Sequence, residues 1–218
     1  KINIGEQDSI ALEAKVIKGD AQDLSHMFEF LTKDIWWYPH ALTGALRGEA
    51  SITGGLRMPE LKIAAKIIGT DWDYWGERFT TVNLSGGYDK GKYEVADFKA
   101  LKRKGRMFGR ISLDTDSVID WGFHTENFTL GDLDLIARLD VPMRGVLRIE
   151  SAGKGKEGAV KSSSLVFLDD LAVRGVGMAS SQLTLKSEGG KAEVRGIALG
   201  GQGTLELDAS IMEGAGMR

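Results

Sequence analysis

Residues 61–67 read Leu-Lys-Ile-Ala-Ala-Lys-Ile, and apolar side chains recur at every second position of this segment. A period of two places successive side chains on opposite faces of a β-strand, so one face here is aliphatic and the other is polar. Half-buried strands of this kind are typical of antiparallel sheets. The segment therefore predicts a strand whose Leu61, Ile63 and Ile67 side chains share an apolar face.

The same alternation recurs along the chain, and glycine-rich turn signals separate many of its occurrences. Glycine supplies the positive φ of tight hairpins, so the Gly86–Gly87 pair and the Asp-Lys-Gly sequence at 89–91 are expected at turns between strands. We predict an all-β protein, an elongated curved antiparallel sheet of about a dozen strands. The further alternating segments are 10–16, 46–52, 107–114, 133–141 and 205–211.

Composition excludes several classes of protein. Glycine provides 29 of the 218 residues, about twice its usual share of about 7%, but three prolines are far too few for a collagen-like chain. The chain has no cysteine, which excludes a disulfide scaffold and a cysteine zinc site. Its formal charge of −3 argues against a general nucleic-acid binder. Glycines inside strand patterns, such as Gly48 and Gly109, predict bulges or bends that curve the sheet.

One segment departs from the strand pattern. Residues 20–31 carry Leu24, Met27, Phe28 and Leu31 at the i, i+3, i+4 and i+7 spacing of an amphipathic helix. Asp20 is suited to the N-cap of this helix. We therefore expect one short helix near residues 20–31.

The chain also resembles itself. Residues 42–47 resemble residues 142–148, and other glycine-rich strands recur at a similar offset. Such similarity is typical of quasi-one-dimensional arrays of hairpins. We expect one continuous segment over 1–218 that contains internal repeats at 20–130 and 131–218.

No arrangement of residues predicts an enzyme. His26, His40 and His124 have no metal-ligand spacing, and the chain has no G-x-S-x-G nucleophile elbow. The acidic residues within 114–120 are interpreted as a charged turn, and the G-x-G-x-x-G letters at 153–158 as a flexible hairpin, since no helix pattern follows them. We therefore expect no catalytic residue, no metal and no cofactor.

A basic run at residues 102–106 is interpreted as a solvated hairpin, with anionic lipid headgroups as its alternative contact. The aliphatic rows leave two architectures open. Either the rows meet in a closed sandwich or barrel core, or the sheet stays open as a trough whose apolar floor binds an apolar molecule. Composition alone favours the closed core.

A family resemblance changes this balance. Residues 42–54, Leu-Thr-Gly-Ala-Leu-Arg-Gly-Glu-Ala-Ser-Ile-Thr-Gly, follow the expected helix and precede Met-Pro-Glu-Leu at 58–61. This succession of a short helix, a glycine-spaced strand and a Pro-x-Leu entry resembles the AsmA-like (TamB) family. The second copy departs from it, because Pro142 precedes its glycine strand and no Pro-x-Leu follows.

The resemblance implies a segment of a bridge-like lipid-transfer protein in the periplasm of a diderm bacterium, anchored to the inner membrane in the full-length protein. It implies a hydrophobic groove that conducts phospholipid between inner and outer membranes, with phospholipid acyl chains as ligand and an outer-membrane barrel protein as a further partner. The alternative is a β-augmentation or scaffold module that assists outer-membrane protein assembly. A closed sandwich used in adhesion or assembly is a third interpretation. The expected groove lining is Leu46, Ile52, Leu61, Ile63, Ile67, Ile111, Leu113, Leu135, Leu139, Leu205 and Leu207.

Overall fold

The computed structural model describes residues 2–4, 9–23, 42–55, 60–74, 76–156, 159–188 and 191–197. These residues form fourteen β-strands and little helix, which confirms the predicted all-β antiparallel fold. The chain divides into two compact units, Lys1–Phe108 and Gly109–Arg218.

In the first unit each strand pairs antiparallel with the next one along the chain, from β1 to β6. This order, in which each strand lies beside the next one in sequence, is that of an open antiparallel sheet. Its strands are β1 (Ile2–Ile4), β2 (Ser9–Asp20), β3 (Leu42–Gly55), β4 (Leu61–Tyr74), β5 (Glu77–Asp89), β6 (Lys92–Lys102) and the start of β7 (Gly105–Leu113).

The second unit is built in the same way. Strand β10 pairs antiparallel with β8, β9 and β11, while β11 also pairs with β12 and β13, and β13 pairs with β14. After the end of β7 its elements are β8 (Ile119–Glu126), β9 (Phe128–Thr129), a 3-10 helix (Leu130–Asp132), a short α-helix (Asp134–Ala137), β10 (Met143–Gly155), β11 (Lys161–Val173), β12 (Val176–Gly177), β13 (Ser181–Glu188) and β14 (Lys191–Ile197).

The hairpin between β5 and β6 lies where the Asp-Lys-Gly sequence predicts it. Lys90 and Gly91 both have positive φ, 49° and 86°, as a two-residue hairpin turn requires. The predicted turn at Gly86–Gly87 is wrong, because both glycines lie inside β5. A side chain at Gly86 would strike the Glu94 carbonyl on the neighbouring strand, so close approach of the backbones explains the glycine there.

The predicted strand over 133–141 is also wrong. Residues Asp134–Ala137 form one turn of α-helix, in which the amide of Ala137 donates to the Leu133 carbonyl at 3.0 Å. Apolar residues at every second position also form pairs that are four residues apart, such as Leu133 and Ala137. Such pairs lie on one face of a helix, so this pattern fits a helical turn as well as a strand. Asp140 then takes a left-handed φ of 52°, which a regular strand does not contain.

The described start of the predicted helix agrees with the expectation. Residues 21–23 are helical, and Oδ1 of Asp20 accepts a hydrogen bond from the amide of Gln22 at 2.9 Å. Asp23 accepts from the amide of Asp20 at 3.4 Å. Asp20 therefore caps the helix start as predicted, while residues 24–31 lie outside the described residues.

The two units share the same irregularity. Gly44 on β3 has a φ of +128° and lies opposite Asp71, whose φ is +54°, at a register shift between β3 and β4. Gly145 on β10 has a φ of +152° and lies opposite Asp170, whose φ is +52°, at a register shift between β10 and β11. The units thus repeat a paired bulge, although the repeat boundaries given above stay a prediction.

The core of the first unit gathers at one end of β3 to β6. The indole of Trp72 is central to it, since Nε1 donates to the Ala45 carbonyl at 3.0 Å and the ring covers Gly69. The buried core residues are Ala21, Leu46, Trp72, Val82 and Ala100.

Candidate functional site

The register of the first unit aligns apolar residues into rows that run across the strands. Residues paired across antiparallel neighbours present their side chains on the same face of the sheet. One such row contains five consecutive partners from β2 to β6, and none of them is charged. They are Leu12, Ile52, Ile63, Tyr88 and Tyr93.

Two further rows follow at intervals of two residues along β2 to β5, and on β6 a bulge lengthens the last interval to three. The middle row is made mainly of small residues, whereas the rows on either side of it carry larger ones. We call these three rows the apolar face. The middle row is Ala14, Ala50, Ala65, Gly86 and Val95, and the third row is Val16, Gly48, Ile67, Leu84 and Phe98.

The opposite face of the same strands is polar. It carries Arg47, Glu49 and Lys66 at the alternating positions of β3 and β4. Lys62 on this face forms an exposed ion pair with Asp89, at 3.5 Å. The sheet therefore separates a charged surface from an uncharged one.

The apolar face is not fully buried. Ile52, Ile63 and Leu84 are half-buried, and Tyr93 is 37% exposed. The ring of Tyr93 lies 4.8 Å from that of Tyr88, centroid to centroid, at an interplanar angle of 50°. Contiguous apolar surface that remains accessible is the property expected of a site that contacts an apolar molecule.

Five of the predicted lining residues are brought together in this unit. Ile52, Ile63 and Ile67 lie in the rows of the apolar face, and Leu61 continues it by one position. Leu46 lies on the same side but is buried in the core.

The remaining predicted residues belong to the second unit or lie outside the described residues. Ile111 and Leu113 lie on β7 in the second unit. Leu135 and Leu139 lie off the sheet, with 62% and 55% of their surfaces exposed, because the strand predicted to carry them does not form. Leu205 and Leu207 lie outside the described residues.

Several residues of the apolar face are not among the expected lining residues. Tyr88 and Gly86 share the parity of Leu84 on β5, so all three lie on one face. The period-two spacing of Leu84, Gly86 and Tyr88 is not evident when the Gly86–Gly87 pair is interpreted as a turn. Tyr93 then follows from Tyr88 as its partner across the hairpin.

The corresponding face of the second unit is less apolar. The hydroxyls of Ser151 and Ser164 are hydrogen-bonded at 2.7 Å, and those of Ser162 and Ser187 form a similar pair at 2.7 Å. Although these hydroxyls satisfy each other's hydrogen-bonding capacity, they make the row that contains them more polar than a row of aliphatic side chains. The first unit therefore presents the more uniform hydrocarbon surface.

The acidic residues singled out in the sequence have structural roles. Oδ1 of Asp114 accepts hydrogen bonds from the amides of Asp116 and Val118, each at 2.9 Å, which shapes a turn. Asp120 lies 3.0 Å from Arg110 in an ion pair. Within the described ranges no group of three or more histidine or acidic residues is arranged to hold a metal ion.

The part of the chain that the structure describes contains no helix long and apolar enough to cross a membrane. No family model matches the chain, and no curated protein or solved structure matches it either.

Proposed function

We propose that the apolar face holds the acyl chains of phospholipid and forms part of a conduit between two membranes. The observation that carries the proposal is the set of three uncharged rows across β2 to β6, in which small residues lie between larger ones. A trough of this kind favours an elongated, flexible apolar ligand over a compact polar one.

The dimensions suit an acyl chain. Five strands spaced about 4.8 Å apart give a row about 19 Å long. One leaflet of a bilayer has a hydrocarbon thickness of about 15 Å, half of the usual 30 Å core. A chain lying across the strands, along the middle row, therefore has apolar contact over its length.

The mechanism is passive. Each methylene kept out of water contributes about 0.8 kcal/mol, and rows of similar side chains offer nearly the same contact at each position. A chain shifted by one strand exchanges one apolar neighbour for another, so no step is strongly uphill. The location in the periplasm of a diderm bacterium and the anchoring of the full-length protein rest on the family resemblance, and they belong to the proposal.

Photocrosslinking with a phospholipid that carries a photoactivatable acyl chain tests the proposal. Ile63→Glu places a charge in the apolar face and is expected to lower labelling about tenfold or more, since a charge beside hydrocarbon is costly. Ile68→Glu is the matched control, because Ile68 lies on the same strand, pairs with Arg47 and faces the polar side. It is expected to label like the unaltered chain.

Circular dichroism of both variants shows whether they keep the β-sheet. Undiminished labelling of a folded Ile63→Glu variant, or equal loss in both variants, contradicts an acyl chain on this face.

A further inference from the structure

The paired bulge allows residues of the two units to be matched one by one. Trp72 pairs with Phe79 across the hairpin that follows the bulge in the first unit. In the second unit the amide of Met178 donates to the Leu171 carbonyl at 2.7 Å across the matching hairpin. Both hairpins turn through a glycine with a φ of +82°. Met178 therefore occupies the position of Phe79.

In the first unit a buried ion pair lies beside Phe79. The Lys102 ammonium lies 5.8 Å from the centre of the Phe79 ring and 2.7 Å from a carboxylate oxygen of Glu77. Only 4% of the Lys102 side chain is exposed. A cation, a carboxylate and an aromatic ring thus lie together at this position of the first unit.

The second unit has different residues at these positions. Val176 replaces Glu77 and Met178 replaces Phe79, and a cavity of about 670 Å³ lies beside Leu171 and Met178. Cavities of about 300–1,000 Å³ are typical of small-molecule sites. Two charged residues, Arg144 and Asp170, are among its lining.

These two charged residues do not neutralise each other. Arg144 and Asp170 line the same cavity, and neither forms an ion pair with any residue of the described ranges. Asp170 has a backbone role as well, since aspartate tolerates its left-handed conformation. The first unit has Thr43 at the position of Arg144, so the guanidinium is what the second unit adds.

We propose that this cavity binds the zwitterionic head group of a phospholipid, an aminoalkyl phosphate of the phosphoethanolamine class. The guanidinium of Arg144 receives the phosphate, which it suits as a planar donor of paired hydrogen bonds. The carboxylate of Asp170 receives the ammonium, and Leu171 and Met178 contact the first carbons beyond the head group. This inference rests on the proposed function and assigns it a lipid class.

The experiment compares short-chain phospholipids that differ only in the head group. The whole chain is titrated calorimetrically with dihexanoyl phosphatidylethanolamine and with dihexanoyl phosphatidylglycerol, each below its micelle concentration. Because only the ethanolamine lipid can form a charge-assisted hydrogen bond to the Asp170 carboxylate, we expect it to bind at least tenfold more tightly. Free phosphoethanolamine is expected to compete only weakly, since it lacks the apolar contacts.

Three variants locate the preference. Arg144→Thr introduces the first unit's residue at an exposed position, and Asp170→Asn removes the charge while tolerating the left-handed backbone. Gly177→Trp places an indole in the cavity, where an added Cβ meets no atom within 4 Å. Each variant is expected to reduce the preference for the ethanolamine lipid at least fivefold.

Equal binding of the two lipids by the unaltered chain overturns the inference, and so does an unchanged preference in Arg144→Thr. Competition by free phosphoethanolamine as strong as the lipid overturns its lipid part and assigns the cavity to a soluble aminoalkyl phosphate. The Ile63→Glu labelling experiment reads the acyl chain independently of the head group, so a failure here is distinguishable from a failure of the proposed function.

Discussion

The ammonium nitrogen of Lys102 lies 2.7 Å from Oε2 of Glu77, at the buried end of the first unit's core. It also donates a hydrogen bond to the Arg78 carbonyl at 3.1 Å. The basic run at 102–106 was expected to be a solvated hairpin, and for Lys102 that expectation is wrong. The aromatic ring of Phe79 and the carboxylate of Glu77 keep this lysine buried. In the sequence, Lys102 is only one of several neighbouring basic residues, and nothing distinguishes it from them.

The Lys102–Glu77 pair is predicted to be coupled. Glu77→Gln removes the charge opposite a buried ammonium and should lower the free energy of unfolding by about 1–3 kcal/mol. The double variant Lys102→Met with Glu77→Gln should be less destabilised than the sum of the single variants. Urea denaturation measures all three.

An exposed pair provides the control for this prediction. Lys99 and Asp97 form an ion pair at 3.3 Å with about half of each side chain exposed. Lys99→Gln should change stability by less than about 0.5 kcal/mol. An effect as large as that of Glu77→Gln would show that burial does not set the strength of the Lys102–Glu77 pair.

Glycine at position 86 is predicted to be essential for strand pairing. Gly86→Ala forces a Cβ against the backbone of Glu94 and Val95, so it should destabilise the chain by about 1–3 kcal/mol in thermal or urea unfolding. Gly122→Ala is the control, since its Cβ would lie 3.9 Å from the nearest atoms and should change stability by less than about 0.5 kcal/mol. Similar losses for both would show that close approach to the neighbouring strand does not set the cost at Gly86.

We predict that Gly69 and Trp72 can be replaced by leucine at low cost only when both are replaced together. The indole of Trp72 lies where a side chain at Gly69 would be, while the matching positions of the second unit hold Leu168 and Leu171. Trp72→Leu should cost about 2 kcal/mol or more through the cavity and the lost hydrogen bond to Ala45.

The double variant Gly69→Leu with Trp72→Leu should recover part of that loss, because it reproduces the pair of the second unit. A double-mutant cycle measures the coupling. Additive losses would mean that the two positions are filled independently.

Leu135 is 62% exposed, so the free energy of unfolding of Leu135→Ala should be within about 0.5 kcal/mol of that of the unaltered chain.

Tyr74 gives a pH dependence. Burial raises the pKa of its phenol above the ordinary 10.0. The unfolded chain then loses the phenolic proton at lower pH than the folded chain, so this residue's contribution to stability is complete below about pH 10 and is lost as the pH rises through the higher folded value. The free energy of unfolding of Tyr74→Phe, measured in urea, should therefore fall less steeply between about pH 9 and 11 than that of the unaltered chain. Equal slopes for the two chains would contradict a raised pKa of Tyr74.

The strands were predictable wherever alternation was long and bounded by turn residues, as in β2, β3, β4 and β7. The sequence misled where one pattern has two physical readings. A glycine pair serves both turns and close strand contacts, which misplaced Gly86, and alternation over a few residues also fits a helical turn, which misplaced Leu135.

The candidate site was predictable only in part for a related reason. Alternation identifies which side of each strand is apolar, and so it found Ile52 and Ile63. The rows depend on register between strands, which bulges shift by a residue, as between Ser85 and Gly86. The cavity of the second unit depends on which side chains fill a matched position, and no local pattern carries that information.

The rows of the apolar face also have a consequence for the unfolded chain. Leu12 and Tyr93 share a row although nearly the whole sequence of the first unit separates them. Along the sequence the residues of the first unit's strands mostly alternate between apolar and polar, so no strand taken alone carries the contiguous apolar surface. The apolar surface forms only when hydrogen bonding brings the strands side by side, so it does not exist in the unfolded polypeptide.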